Sequence, residues 1–440
     1  MKKLLTVVAL ILVISMLPLA LFSCGSKQKP KETEANTENT ENKSTDKKED
    51  ASMNGDSQLG STQPVTYTYE FEGNSVTLEP TTVDLSVDHA KVKRLGRTTL
   101  TSKGIACDHS ASGIEFKGIM AGEVTVKITS KMIKSNSPSS YYTVYVDGVR
   151  QGKRFAVTNT ETLTIAKIKT PGEHTIRIVK QTESNYTISE IESIGITGYL
   201  TDRPADKQYY IEYIGDSLTC GMGNLGNSTV TTESQQSAIW EDASRSYAYM
   251  ASEELGADYS VISQSGIGIS YGWARYSIFP FYEAAGYNRD KDLAFDFENA
   301  RVPDLMVINM GTNDYYINKD MDDGNKHCFI DEVIEDTEAL ITLVRTSYGE
   351  DMPIVWPSNF IYLGDNYVEA VEQGIINYAA KKTGADASTM TIEDAEEAAG
   401  IYRIDFTKNT GGAQGHPTVS GHTTAKNELI ALIEEKGLLN

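Results

Sequence analysis

Residues 210–218, with the sequence YIEYIGDSL, decide the fold of the C-terminal half of the chain. A short apolar strand at 210–214 leads into a Gly-Asp-Ser-Leu turn. Strands and helical patterns then alternate, the strands at 260–262, 305–310, 354–356 and 401–406 and the helices at 246–255, 330–344, 367–380 and 425–433. This alternation predicts a parallel sheet covered by helices on both faces, a three-layer α/β domain that we expect to span residues 204–440.

Upstream of this domain, residues 66–200 show the two-residue period of β-strands. Val124, Val126 and Ile128 fall on one face of a strand, and Asp147-Gly148 follows an apolar run as a hairpin turn does. Frequent turns and the lack of a long helical pattern predict a jelly-roll-like, all-β sandwich of roughly 130 residues. We therefore expect two folded domains, an all-β domain followed by an α/β domain.

The first 65 residues differ from both domains. Two lysines precede an apolar run at 4–22 that Pro18 interrupts, a pattern typical of a secretory signal. The cysteine that follows, Cys24, resembles the lipidated cysteine of bacterial lipoproteins. That resemblance implies a signal at 1–23 and a lipid anchor on the extracellular face of the membrane, with an uncleaved membrane anchor as the alternative. Residues 24–65 are mostly polar, and we expect them to form a disordered tether.

The composition excludes several classes of function. The 440 residues include 40 Lys and Arg against 61 Asp and Glu, a formal net charge of −21, and such a surface repels the phosphates of nucleic acids. The four cysteines include no Cys-x-x-Cys motif, so neither a disulfide scaffold nor a zinc site is expected. A neutral, sugar-like substrate suits this charge balance, and we expect no nucleic-acid partner and no metal.

Unusual polar residues follow four of the predicted strands, at the sheet edge where ligands of such folds bind. Ser217 lies in a strand-to-helix turn, a position that suits a nucleophile. His416, fixed by Pro417 before the last helix, is the histidine of this domain best placed to act as its base. The backbone N–H groups of Ser217 and Gly266 and the side-chain amide of Asn313 are candidate donors to an oxyanion. These residue types together predict the hydrolysis of an ester.

Four blocks of sequence, taken in order, resemble the SGNH (GDSL) hydrolase superfamily: Gly-Asp-Ser-Leu at 215–218, Gly266, Gly-Thr-Asn-Asp at 311–314 and His-Pro at 416–417. Longer strings are similar to carbohydrate esterase family 2, namely 211–221, 265–268 and 303–314. That family places a β-sandwich before the SGNH domain. The resemblance implies a serine esterase that removes acetyl groups from plant polysaccharides such as xylan or glucomannan and that needs no cofactor.

The chain departs from the family's pattern beside the histidine. Most SGNH enzymes have an Asp three residues before it, where this chain has Ala413, and family 2 enzymes often show Asp-Trp-His, where this chain has Gln414-Gly415-His416. We expect a main-chain carbonyl to hold the imidazole, with Asp405 as the weaker candidate. An unshifted histidine base predicts activity that rises through about pH 6.5.

Aromatic residues near the strand ends are candidates for a surface on which a sugar stacks. Those singled out are Trp273, Tyr315 and Trp356, and further candidates are Tyr271, Tyr316 and Tyr362. Two other functions stay open from the sequence alone. One is an SGNH esterase that acts on a lysophospholipid or a cell-wall O-acetyl group, and the other is a surface lipoprotein that binds glycan without cleaving it.

Overall fold

The computed structural model of the protein describes residues 66–71, 73–231, 238–287, 293–319 and 329–439. The predicted signal at 1–23, the tether at 24–65 and Cys24 lie outside these residues. In the part of the chain that the structure describes, no helix has both the length and the apolar character needed to cross a bilayer.

The N-terminal part is built from antiparallel strands. They are β1 Tyr67–Phe71, β2 Asn74–Leu78, β3 Pro80–Asp84, β4 Lys93–Leu95, β5 Thr99–Leu100, β6 Ile105–Ala106, β7 Gly113–Met132, β8 Ser140–Val146, β9 Val149–Arg150, β10 Phe155–Val157, β11 Thr160–Lys180 and β12 Thr187–Leu200. The main sheet has the order β10-β8-β11-β7-β12-β6-β5, and β3, β4 and β9 pair at its sides. Val124, Val126 and Ile128 are fully buried in its core, which confirms the all-β prediction.

Three of these strands are longer than the short strands expected from the sequence. β7 has 20 residues, β11 has 21 and β12 has 14. In β11 the register shifts between Thr164 and Ala166 and again between Ile168 and Gly172, so the strand bends and continues. Because a bulge interrupts the alternation of apolar residues without ending the strand, the sequence pattern divides one bent strand into several.

The C-terminal part alternates strands with helices, as predicted. Its strands are β13 Tyr209–Gly215, β14 Ala257–Ser263, β15 Leu305–Asn309, β16 Ile354–Ser358 and β17 Ile401–Asp405. Its α-helices are α1 Ser217–Cys220, α2 Tyr247–Glu254, α3 Ile278–Tyr282, α4 Thr312–Lys319, α5 Ile330–Tyr348, α6 Asp365–Thr383, α7 Ile392–Ala399 and α8 Val419–Lys436. The sequence pattern missed α3, α4 and α7, which have at most eight residues each, and among the eight-residue helices it found only α2.

The five strands form one parallel sheet with the order β14-β13-β15-β16-β17. Two separate apolar clusters involve its strands and helices, which confirms the three-layer α/β fold. At the carboxyl end of β13, which lies between β14 and β15, Gly215 pairs with Ser263 on one side and with Asn309 on the other. The loops that follow β13, β14 and β15 therefore start side by side.

The two parts share a core. Leu95, Ala111 and Val179 of the all-β part belong to the same apolar cluster as Tyr213 and Tyr259 of the α/β part. Residues 64–440 accordingly form one compact unit. The loops at the carboxyl end of the sheet are thus built on a scaffold to which both parts contribute.

Candidate active site

Ser217 is the first residue of α1, and one residue, Asp216, separates it from the end of β13. The Asp216 side chain caps this short helix by accepting a hydrogen bond of 2.9 Å from the Leu218 N–H. Ser217 retains 7% of its surface, so its hydroxyl lies at the edge of the core without being sealed inside it. The turn therefore presents one small nucleophilic side chain at the carboxyl edge of the sheet.

His416 lies opposite this serine, on the loop between β17 and α8. Its Nε2 atom is 2.9 Å from the Ser217 Oγ atom, within reach of a proton transfer. The structure therefore brings together the two residues that the sequence predicted as nucleophile and base.

The loop that carries His416 is pinned to the segment that follows α1. The Ala413 N–H donates to the Gly223 carbonyl at 2.9 Å, and the Gln414 N–H donates to the Val230 carbonyl at 2.6 Å. The Gly412 N–H closes the loop on the His416 carbonyl at 2.8 Å. The nucleophile and its base therefore belong to two segments that are joined by backbone hydrogen bonds.

Among the residues that the structure describes, no acid contacts the His416 ring. Its Nδ1 atom has no hydrogen-bond partner among the described residues. The Asp405 carboxylate, the weaker candidate from the sequence, is 54% exposed and pairs with Arg403 at 3.1 Å. The prediction of Asp405 as the orienting acid is therefore wrong, because at the end of β17 its carboxylate is exposed and paired with Arg403.

The environment of His416 favours the neutral ring. Burial lowers the pKa of His416 to about 4, and the main-chain carbonyls of Gln414 and Ala413 offset only part of that effect. The sequence predicts that a main-chain carbonyl holds the ring, but neither of these two carbonyls meets hydrogen-bond geometry with Nδ1. The imidazole is consequently held as a neutral base by its loop.

Two backbone N–H groups beside the serine are free to bind an anion. Among the described residues, neither the Ser217 N–H nor the Gly266 N–H donates to another group. Gly266 has a φ of +83°, and a Cβ atom there would lie 3.1 Å from the Ala274 nitrogen and 3.3 Å from the Trp273 Cβ. Glycine is therefore required for the close turn that presents this N–H.

Asn313, in the first turn of α4, lies next to the same turn. Its Nδ2 atom donates to the Ile267 carbonyl at 2.9 Å and to the Asp216 Oδ2 atom at 3.1 Å. Burial raises the pKa of Asp216 to about 7, and the negative charges of Asp314 and Glu183 act in the same direction. The Asn313 amide is thus held in place beside Ser217.

Asp314 fixes the loop that carries Gly266. Its carboxylate is fully buried and accepts hydrogen bonds from the N–H groups of Ile269 at 2.9 Å, Ser270 at 2.9 Å and Tyr271 at 3.1 Å. Three converging donors match the acceptor capacity of an ionised carboxylate. The last residue of the Gly-Thr-Asn-Asp block therefore shapes the site without touching the serine.

The aromatic candidates divide by burial. Trp273, whose Cβ atom lies beside Gly266, is 51% exposed, and Tyr315 packs edge-on against the exposed Tyr362 with ring centroids 5.8 Å apart. Trp356, by contrast, is fully buried in the core of the sheet. The prediction of Trp356 as a substrate-binding residue is therefore wrong, because its strand β16 is buried on both faces.

Sequence reasoning missed a buried cluster of two glutamates and a cysteine at the end of α1. Glu183, Cys220 and Glu241 are fully buried, and they alone among the described residues bring three possible metal-ligand atoms within 4.8 Å of one another. Burial raises the pKa of all three groups. Because these pKa values are raised, a cation would have to displace protons in order to bind. None of the three side chains is exposed to solvent, and we assign no metal to the cluster. No signal in the sequence marks Glu183, since Thr182-Glu183-Ser184 is typical of a solvated turn.

Comparisons with known proteins match both parts of the chain. The family model described as GDSL-like lipase/acylhydrolase matches residues 211–429, and the model described as carbohydrate esterase 2 N-terminal matches residues 94–204. The cellulase/esterase CelE of Acetivibrio thermocellus is 25% identical over 361 residues, which are 76% of this chain and 38% of that protein. The acetylxylan esterase/glucomannan deacetylase of Cellvibrio japonicus is 26% identical over 160 residues, which are 33% of this chain and 41% of that protein. The chain thus spans less than half the length of these curated relatives.

Solved structures show the same fold. A family two carbohydrate esterase from Clostridium thermocellum, in complex with cellohexaose, matches with a TM-score of 0.66 and 24% identity over 79% of this chain and 100% of that one. An acetyl xylan esterase from the rumen bacterium Butyrivibrio proteoclasticus matches with a TM-score of 0.68 and 17% identity over 82% of this chain and 100% of that one.

Proposed function

Because the chain belongs to the GDSL-like lipase/acylhydrolase family and carries the N-terminal domain of carbohydrate esterase family 2, we propose that it is a serine esterase that removes O-acetyl groups from plant cell-wall polysaccharide. The observation that carries the proposal is the distance of 2.9 Å between Ser217 Oγ and His416 Nε2, beside two backbone N–H groups that have no acceptor within the described part of the chain. A serine that can transfer its proton to a neutral histidine, beside N–H groups that can bind an oxyanion, has the groups that acyl transfer requires.

The reaction proceeds in two halves. Ser217 Oγ attacks the acetyl carbonyl while His416 Nε2 takes the serine proton, and the N–H groups of Ser217 and Gly266 bind the oxyanion. Asn313 joins them by releasing one of its two amide hydrogens, which it donates to Ile267 and Asp216 in the free enzyme. His416 then gives the proton to the departing sugar hydroxyl, which leaves an acetylated Ser217. In the second half His416 activates a water molecule, which releases acetate and restores the serine.

The proposed substrate class is acetylated xylan or glucomannan. One relative bears the name acetylxylan esterase/glucomannan deacetylase, and a solved relative is in complex with cellohexaose. Trp273 offers an exposed aromatic face beside the Gly266 turn, and Tyr315 with Tyr362 offers a second aromatic surface. Aromatic rings present broad apolar faces of the kind that pack against a sugar ring.

The test is acetate release from acetylated xylan and glucomannan, with 4-nitrophenyl esters of short and long acids measured in parallel. We expect Ser217→Ala to lower kcat/KM by at least about 10⁴-fold, because it removes the hydroxyl that forms the acyl intermediate. Ser358→Ala, which removes a buried hydroxyl without a partner among the described residues, is the matched control. A preference for long-chain esters would overturn the polysaccharide assignment, and full activity in Ser217→Ala would overturn the site.

We further propose that the enzyme is exported and held at the cell surface through a lipid on Cys24. The two lysines, the apolar run at 4–22 and the cysteine after it support this proposal. Cells that express the wild type and Cys24→Ser in the presence of labelled palmitate test it. Label in both proteins, or in neither, would contradict the anchor.

A further inference from the structure

A buried turn of the all-β part lies beneath the catalytic loops. It joins β11 to β12, and its residues from Lys180 to Ser184 are fully buried. The Lys180 ammonium donates to the carbonyls of Asp108 at 3.1 Å and Thr187 at 2.9 Å. The hydrogen bonds of Lys180 therefore fix the conformation of the turn. Only a turn of fixed conformation can position the loops that contact it.

Glu183 extends from this turn to the loop after β14. Its Oε2 atom accepts a hydrogen bond of 2.6 Å from the N–H of Ser265, the residue that immediately precedes Gly266. On the other side of the glycine, the Gly266 carbonyl accepts a hydrogen bond of 2.8 Å from the Ala274 N–H. The Ile267 N–H also donates to the Gln264 carbonyl at 3.3 Å and closes the turn around the Ser265–Gly266 peptide. Gly266 has no side chain to fix it, so these three hydrogen bonds hold the peptide that presents its N–H.

Glu241 in turn positions Glu183. Its Oε1 atom accepts a hydrogen bond of 2.9 Å from the Glu183 N–H. The neighbouring Asp242 accepts 2.7 Å from Arg150 of the all-β part, so the segment that carries Glu241 is itself fixed. A continuous series of hydrogen bonds thus runs from Glu241 through Glu183 to Ser265.

This arrangement costs stability. Glu183 Oε1 and Glu241 Oε2 are buried and have no hydrogen-bond partner among the described residues. Burial raises the pKa of both carboxyl groups, which shows that their charged forms are poorly stabilised where they lie. Two close, incompletely paired acids in a core call for a reason beyond packing, because apolar side chains would fill the same space more favourably.

We propose that Glu183 is a positioning residue for the oxyanion hole, and that it aims the Gly266 N–H at the reacting carbonyl by fixing Ser265. Glu241 supports it by fixing Glu183. The proposal rests on the esterase function proposed above and gives the all-β part a defined role in catalysis. That role is exerted through one hydrogen bond at the loop after β14.

The test compares Glu183→Ala with Glu183→Gln on a soluble acetyl ester. We expect Glu183→Ala to lower kcat by roughly ten- to hundredfold with little change in KM, because a misdirected donor weakens the transition state more than the bound substrate. Glu183→Gln retains a side-chain oxygen that can accept from the Ser265 N–H, and we expect it to regain most of the rate. Ser184→Ala is the matched control, since Ser184 is equally buried in the same turn and its Oγ atom has no partner among the described residues.

A double-mutant cycle tests whether Glu183 acts through the oxyanion hole. We expect Glu183→Ala to cost much less in an Asn313→Ala background than in the wild type, since both changes damage the same set of donors. Equal rate losses in Glu183→Ala and Ser184→Ala would overturn the proposal. An unchanged kcat in Glu183→Ala, with a loss of thermal stability alone, would also overturn it. So would a double variant whose loss in kcat equals the product of the losses in the two single variants.

Two further outcomes, an unfolded Glu183→Ala variant and an inactive wild type, are also interpretable. If Glu183→Ala does not fold, kcat and KM are measured for Glu183→Asp instead. The aspartate side chain is one methylene too short to reach the Ser265 N–H. A wild-type kcat in Glu183→Asp would overturn the proposal. If the wild type cleaves no ester, the proposed function fails and the positioning role fails with it. If Ser217→Ala is inactive while Glu183→Ala is as active as the wild type, only the positioning role fails.

Discussion

At residue 413, close packing takes the place of the acid that the described residues lack beside His416. The Ala413 side chain is buried against Gly226, and a Cβ atom added at Gly226 would lie 2.5 Å from the Ala413 Cβ. A longer side chain at 413 would meet the segment that follows α1. The close packing of this loop against that segment therefore replaces a carboxylate as the means of holding His416 in position.

The absence of that carboxylate changes the expected pH dependence. An unshifted histidine would titrate at about pH 6.5, but burial lowers the pKa of His416 to about 4. The base works when neutral, so the part of the kcat/KM profile that belongs to His416 should stay flat as the pH falls from 8 to 5.5 and decline only near pH 4. With an unshifted histidine about a tenth of the plateau would remain at pH 5.5. The measurement is acetate release over this range.

Asp216 is the control for this profile, since its pKa of about 7 lies inside the same range. Its carboxylate touches Asn313, so its titration could add a step of its own. Asp216→Asn removes that step and leaves any step that belongs to His416. A midpoint near pH 6.5 that persists in Asp216→Asn would contradict the lowered histidine pKa.

At the scale of elements, the site depends on how closely the segment after α1 packs against the His416 loop. Gly223 has a φ of +74°, and a Cβ atom there would lie 2.7 Å from the Ala413 carbonyl oxygen and 3.0 Å from the His416 Cβ. We expect Gly223→Ala to displace the loop and to lower kcat/KM by roughly a hundredfold, since catalytic groups must be held closely in place. Enzyme kinetics and thermal unfolding measure both consequences.

Gly256→Ala is the matched control for that substitution. Gly256 has a similar φ of +63°, but no atom lies within 4 Å of a Cβ added there. Both variants therefore carry the backbone strain of alanine at positive φ, and only one carries the clash. Equal activity in the two variants would show that the packing at Gly223 does not set the position of His416.

Sequence reasoning located the elements of the site better than the contacts between them. The positions of Ser217, Gly266, Asn313 and His416 follow from strand ends and from the order of four blocks. Trp356 and Trp273 look alike in the sequence, because both lie near strand ends, and only packing buries one and exposes the other. Glu183 gave no signal, since its burial depends on Glu241, which lies 58 residues away in the chain.

At the scale of the whole molecule, a buried ion pair joins the two parts. Arg97 of the all-β part lies 3.4 Å from Glu212 of β13, and neither side chain is exposed. Tyr282 donates to the same glutamate at 2.8 Å, and the Arg97 guanidinium lies 3.8 Å from the centre of the Phe295 ring. The pair therefore lies in a fully desolvated, largely aromatic setting.

We expect Arg97→Met to lower the free energy of unfolding by about 3–5 kcal/mol, because it leaves the Glu212 carboxylate buried without its cation. Lys91→Met is the control, since the pair of Lys91 with Asp88 has a distance of 3.0 Å but is exposed, and its loss should cost at most about 1 kcal/mol. Denaturant unfolding measures both variants. Similar small losses would show that the buried pair does not hold the two parts together.

A fragment that begins at residue 204 tests whether the α/β part can stand without the rest. It would expose the faces of Tyr213 and Tyr259 that share a core with Leu95, Ala111 and Val179, and it would leave Glu212 without Arg97. We expect residues 64–440 to unfold in one cooperative transition and the fragment to aggregate or to show no transition, as followed by circular dichroism. A folded fragment with full esterase activity would contradict this expectation. It would also mean that the Gly266 turn keeps its shape without Glu183, so the stability of the α/β part and the positioning of its oxyanion hole are tested in one molecule.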